Sequence, residues 1–125
     1  MLSSTATHTT LPVADLERAR HYYEQVLGLT PEFVTPGGAM YLTSPGSRLL
    51  MFPSGARASG AHTQIGFTVA DIDAEVADPK RRGVVFETYD FPGFDAASST
   101  ATTPEVRAAW FKDPDGNLLS VVQLL

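Results

Sequence analysis

Apolar and polar positions alternate with a period of two over His8–Val13, HTTLPV, and switch to helical spacing directly afterwards. Leu11 and Val13 fall on one side of the first run, with His8, Thr10 and Pro12 on the other. Pro12 has no N–H to give, so this strand lies at a sheet edge or loses a rung there. Asp15 stands in the N-cap position, its carboxylate able to accept from the first-turn N–H groups. Leu16, Ala19, Tyr23, Val26 and Leu27 recur on one face, and Glu17, Arg18, Arg20, Glu24 and Gln25 cover the rest. The spacing predicts a helix over 16–27, closed by Gly28. Short strands are predicted over 31–34, 39–43 and 48–52, separated by Pro36-Gly37-Gly38 and Ser44-Pro45-Gly46-Ser47. The order is βαβββ.

The pattern then restarts. Residues 54–61, SGARASGA, are small and read as a linker between a first module over about 8–53 and a second over 62–125. QIGFTV, starting at Gln64, alternates like the first strand. Val69-Ala70-Asp71-Ile72 repeats Val13-Ala14-Asp15-Leu16, 56 positions on, which carries His8 onto Gln64 and cap onto cap. A second helix is predicted over 72–82, ending at Gly83, with Pro79 kinking it or splitting off its last turn. A strand over 84–88 follows. The stretch 90–105 is rich in Ala, Ser and Thr and reads as a mobile loop, placed to act as a lid. The chain closes on WFKDPDGNLLSVVQ, Trp110 to Gln123, in which Asp113-Pro114-Asp115-Gly116 is a turn between two β-like runs. In the second run Leu119 and Val121 face one side, and Leu118, Ser120 and Val122 the other. Self-similarity at half the chain length means duplication of one supersecondary unit.

Composition narrows the function classes. The 125 residues suffice for one domain with a core, and 43 % hydrophobic with 18 % charged is an ordinary globular balance. A net charge of −5 and a pI near 5.0 leave no basic footprint for nucleic acid. No apolar run approaches a membrane span, and MLSSTATHTT lacks the regions of a signal peptide, so a cytoplasmic location is the expectation. Without cysteine there is no disulfide framework and no thiolate chemistry.

HTTLPVADLERARHYYEQVLGL resembles the opening of a module of the vicinal oxygen chelate superfamily, which includes glyoxalases, extradiol dioxygenases, fosfomycin-resistance enzymes and bleomycin-resistance proteins. IGFTVADIDAEV resembles the start of its second module, and WFKDPDGNLLSVVQ the last hairpin. The resemblance implies an α+β fold of two tandem βαβββ modules, whose mixed sheets curl into a cup with helices on the convex face. It also implies a homodimer. Metal-binding members place four His, Gln or Glu ligands in the cup, two on first strands and two on last strands. Carried over, these positions are His8, Gln64, Ser120 (where DPDGN-x-x-E has Glu) and, by aligning SPGSRLLMF with DPDGNLLSV, Met51. Neither Met51 nor Ser120 supplies a carboxylate, and one imidazole with one amide holds a hard divalent ion weakly.

By resemblance to family sites, the third strands contribute Tyr41 and Trp110 to the same face. The expected lining is then His8, Thr10, Tyr41, Met51, Gln64, Gly66, Thr68, Trp110 and Ser120, apolar and aromatic with a few polar handles, as suits an organic ligand. His62 lies two residues before Gln64 on the same parity and rescues a metal site if the register shifts. His21 is expected to face solvent. Glu87, Asp90, Asp95 and Glu105 flank the long loop as candidate bases, and Arg107 either binds an anion or pairs with Glu105. The reading that results is a metal-free, cofactor-free protein that sequesters or carries a small, partly aromatic molecule, with no nucleic-acid or membrane partner. Two alternatives stay open: a divalent-metal-dependent lyase, isomerase or dioxygenase using His8 and Gln64, and a metal-independent enzyme with His8 as base.

Overall fold

In the computed structural model, which describes residues 1–125, the chain divides into two units, Met1–Ala58 and Ser59–Leu125. In the first, β1 (His8–Val13) pairs parallel with β4 (Ser47–Pro53). Strand β4 pairs antiparallel with β3 (Gly38–Ser44), and β3 with β2 (Pro31–Thr35), giving the order β1-β4-β3-β2. Strand β1 is thus an edge, the place where Pro12 costs no rung on its open side. Helix α1 (Leu16–His21) starts at Asp15, whose Oδ1 accepts the Arg18 N–H at 3.2 Å. Its continuation departs from the expected α-helix: Tyr22–Val26 is a π-helical turn, widened by one residue, and Gly28 then takes φ +79°. The core of this unit is Leu11, Val13, Ala19, Tyr23, Ala39, Tyr41, Leu49 and Met51, all fully buried.

The second unit repeats the topology and adds to it. Strand β5 (Thr63–Thr68) pairs parallel with β9 (Leu118–Leu124), and β9 pairs antiparallel with β8 (Val106–Lys112). Beyond β8 lie β7 (Thr100–Thr102) and β6 (Phe94–Asp95), giving the order β5-β9-β8-β7-β6. Helix α2 (Ile72–Arg81) is capped by Asp71, whose Oδ1 accepts from Asp73 at 3.1 Å and Ala74 at 3.3 Å. Both units are α+β with mixed sheets, as expected. No helix is long and apolar enough to cross a membrane.

Two local expectations are corrected and a third is narrowed. Pro79 does not split off the last turn of α2. It sits in the last turn, where its missing N–H removes one bond, and the N–H groups of Arg82 and Val84 close onto its carbonyl at 3.0 Å each. The strand expected over 84–88 shrinks to one bridge, Phe86 to Phe111, with the Glu87 N–H on the Trp110 carbonyl at 2.7 Å. The reason is that β7 takes the same edge of β8 at Ala108 and Arg107, leaving only its far end free. The stretch 90–105, expected as a bare lid, holds β6 and β7 and buries Ser99, Thr100 and Ala101. Its small side chains bond locally: Asp95 accepts from the Ala97 N–H at 3.0 Å and the Ser98 hydroxyl at 2.9 Å.

The caps carry a direct test. Asp15→Ala and Asp71→Ala should each lower unfolding stability by about 0.5–2 kcal/mol, with Asp71, which holds two N–H groups, at the upper end. Urea unfolding measures it, and loss of ligand binding at unchanged stability would contradict the capping role.

Candidate functional site

A sheet with a helix on one face leaves the other face to be read from strand parity. In unit two, α2 marks its own side. The Arg107 guanidinium pairs with Asp73 at 3.0 and 3.1 Å, and the Ile72 N–H donates to Gln123 Oε1 at 2.9 Å. Arg107 and Gln123 are register partners, so their parity mates Ala109, Phe111, Leu119 and Val121 share the helix side. The opposite face carries Ala108, Trp110 and Lys112 from β8, Leu118, Ser120 and Val122 from β9, and Gly66 and Thr68 from β5. Trp110 lies directly opposite Ser120, and Ser120 opposite Gly66. Phe111, not Trp110, is the aromatic committed to the core, stacked edge-on against Phe86 at 5.3 Å. Gln64 falls in a bulge between Thr63 and Ile65, so two residues of β5 meet one step of β9 there.

Around Trp110 the face is aromatic. The Tyr89 ring meets the indole edge-on, 5.5 Å between centroids. Tyr89 also contacts Phe94 at 5.8 Å and Phe91 at 5.9 Å, and Phe91 contacts Phe94 at 5.6 Å. Phe91 is exposed, while Trp110, Tyr89 and Phe94 are half-buried. The indole N–H donates to the Thr63 hydroxyl at 3.1 Å. Burial, and the Glu87 carboxylate nearby, raise the Tyr89 phenol above its usual range, so the ring stays neutral. Sequence reasoning passed over Tyr89, Phe91 and Phe94. The signal was there in YDFPGF, three aromatics in six residues, but it was absorbed into the reading of 90–105 as a loop.

In unit one the face assignment is overturned for two residues. Tyr41 and Met51 lie on the helix side: the Tyr41 hydroxyl donates to Glu24 of the π turn at 2.8 Å, and Met51 is the register partner of Leu11 and Ala39, all fully buried. His8 and Thr10 are on the other face, partnered by Arg48 and Leu50. The cause is one residue of alignment. Thr10 pairs with Leu50 and Leu50 with Met40, just as Gly66 pairs with Ser120 and Ser120 with Trp110. The repeat of the last hairpin therefore equates Ser120 with Leu50 and Trp110 with Met40, 70 positions apart, and a slip of one flips every side chain. Tyr41 is the counterpart of Phe111.

The remaining candidates find ordinary partners. Arg107 pairs with Asp73 rather than Glu105. Asp95 caps its own turn, Glu87 meets Lys112 at 3.6 Å, and Glu105 accepts from the Thr103 hydroxyl at 3.2 Å. His62 is exposed, its Nδ1 3.4 Å from the Ser59 hydroxyl, and His21 and Asp90 are exposed. The positions that the resemblance gives to metal ligands now read His8, Gln64, Leu50 and Ser120. No three His, Cys, Asp or Glu side chains come together in a group that could hold a metal ion. An imidazole, an amide and a hydroxyl without a carboxylate do not fit a divalent cation.

Residues 5–121 match the model of the Glyoxalase/Bleomycin resistance protein/Dioxygenase superfamily, and the chain belongs to that family. No curated protein matches it. Among solved structures it is similar to TnmS3, an antibiotic binding protein from Streptomyces sp. CB03234, with 24 % identity, TM-score 0.77 and coverage of 100 % of this chain and 99 % of that one. A glyoxalase family protein from Bacillus anthracis is similar at 16 % identity and TM-score 0.75, covering 98 % and 96 %. A glyoxalase/bleomycin resistance protein/dioxygenase from Alicyclobacillus acidocaldarius follows the same fold at 22 % identity and TM-score 0.73, covering 98 % and 92 %.

Tyr41 gives a test of the face assignment in unit one. Burial, then its bond to Glu24, raise its phenol pKa well above the usual range. A group raised in the folded state stabilises fully below its unfolded pKa and loses that contribution as pH rises through the folded one. Alkaline titration should therefore show a tyrosine that ionises well above the usual phenol range and is absent in Tyr41→Phe, and the wild-type advantage over Tyr41→Phe should vanish at high pH. A Tyr41 that titrates in the ordinary phenol range would contradict its placement under the helix.

Proposed function

We propose that this chain binds a small, partly aromatic organic molecule against the helix-free face of unit two, and sequesters or carries it without a metal ion. The observation that supports this most is Trp110. A half-buried indole on the face away from the helix, edge-on to Tyr89, which in turn meets Phe91 and Phe94, lies outside the core under α2. Its flat apolar surface suits stacking by a ligand ring. Ser120, Thr68 and Gln64 add polar groups on β9 and β5. Unit one, taken by itself, also carries polar groups on its helix-free face, His8 and Thr10, beside the half-buried Met40, Leu50 and Phe52. The neighbour TnmS3 is itself an antibiotic binding protein, which favours binding over catalysis as the first reading to test. The metal-free part rests on the donor chemistry, since Leu50 and Ser120 stand where carboxylates would be needed.

Two measurements test it. Elemental analysis of the purified chain should find no stoichiometric divalent metal, and one metal per chain that disappears in His8→Ala would contradict the metal-free reading. Trp110 is the only tryptophan, so emission excited selectively in the indole band reports on its surroundings alone. Trp110→Ala should leave the fold intact and weaken an aromatic ligand, whereas truncating a core tryptophan costs about 3–5 kcal/mol. A stability loss of that size would remove Trp110 from the binding face.

A further inference from the structure

Ser120 is more than nine-tenths buried, at 4 % exposure, yet its hydroxyl makes no hydrogen bond within the chain. The hydroxyl oxygen itself is not fully buried and still opens to the surface, where an incoming group can satisfy it. What surrounds it shows what that could be. On one side stands Trp110, whose single N–H is already committed to Thr63, leaving the indole a flat apolar wall. On the other is Gly66, where a Cβ would stand 3.0 Å from Ser120 Oγ. Any side chain at 66 would close over the hydroxyl, and glycine leaves that approach open. The one charged side chain that the register places on this face, Lys112, is paired with Glu87 at 3.6 Å.

We infer that Ser120 and Gly66 form a specificity notch, which selects uncharged aromatic molecules with a neutral oxygen on the ring or one bond from it, an aryl ketone or phenol class, over hydrocarbons and over anions. The ligand ring lies on Trp110 and its oxygen meets the Ser120 hydroxyl through the gap at Gly66. A hydroxyl both donates and accepts, so it serves a carbonyl or a phenol equally. An anion gains nothing here, because the cation of this face is neutralised and desolvation opposes burial of a charge.

The inference rests on the binding reading above, and the test separates the two. Binding to the full chain is measured by Trp110 emission and calorimetry with three matched probes: a naphthyl methyl ketone, ethylnaphthalene as its hydrocarbon counterpart, and naphthoate. The wild type should prefer the ketone to the hydrocarbon by about tenfold, the worth of one neutral hydrogen bond in a buried site, and should bind naphthoate weakest. Ser120→Ala should erase the preference by weakening the ketone while leaving ethylnaphthalene unchanged. Gly66→Ala, its folding checked by urea unfolding, should do the same by covering the hydroxyl. Equal binding of ketone and hydrocarbon to the wild type, a preference that survives Ser120→Ala, or tightest binding of naphthoate would each overturn the notch while leaving aromatic binding standing. No binding of any probe, with unchanged emission, would overturn both.

Discussion

The parity of the strands decides which side chains in each unit hold a helix and which are left to meet something else. In unit two the decision is fixed by a row of three residues across three strands, Gly66 on β5, Ser120 on β9 and Trp110 on β8. On the other side Phe111, Leu119 and Ala109 are committed to the core under α2, with the Arg107–Asp73 pair holding strand to helix. Shift β8 or β9 by one residue and Phe111 would leave the core while Trp110 entered it. Everything proposed about the chemistry of this chain depends on that register.

The elements most legible in the chain are those that local physics signals. Asp15 and Asp71 cap helices, Pro12 lies on an edge strand, and the turn around Asp113 joins the last hairpin. The turn shows why. Asp113 Oδ1 accepts the N–H groups of Asp115 and Asn117 at 2.9 Å each, and its Oδ2 takes the Asn117 amide at 2.8 Å, all from residues within four positions. What the sequence did not disclose were the long-range choices. The 84–88 run had strand composition but lost its edge to β7, and nothing local to 84–88 could report on residues 100–102. The π turn after His21 likewise accompanies Glu24's contacts with Arg20 and with Tyr41 on β3.

The site was half legible for the same reason. On β9 and β8 the alternation around Ser120 and Trp110 was unambiguous, and their pairing follows from a hairpin only a few residues long. In unit one the place of Met51 rests on matching one turn to another, SPGS against DPDG, and similar turns need not start at the same rung. The strand pairing equates Thr43 with Asp113, one residue off, which moved Tyr41 and Met51 into the core and put Met40 and Leu50 in their place. A leucine and a serine where metal chemistry wants carboxylates leave the helix-free faces as apolar surfaces with isolated polar groups.

The central claim is that ligand contact falls on the helix-free face of unit two. Amide NMR on labelled protein tests it most directly, since the single tryptophan gives one indole N–H signal. On titration with the naphthyl methyl ketone, the account predicts the largest shifts at the Trp110 indole and the Gly66 amide, with the Ile72 and Asp73 amides of α2 unmoved. Shifts concentrated on α2, with the Trp110 indole unmoved, would contradict it.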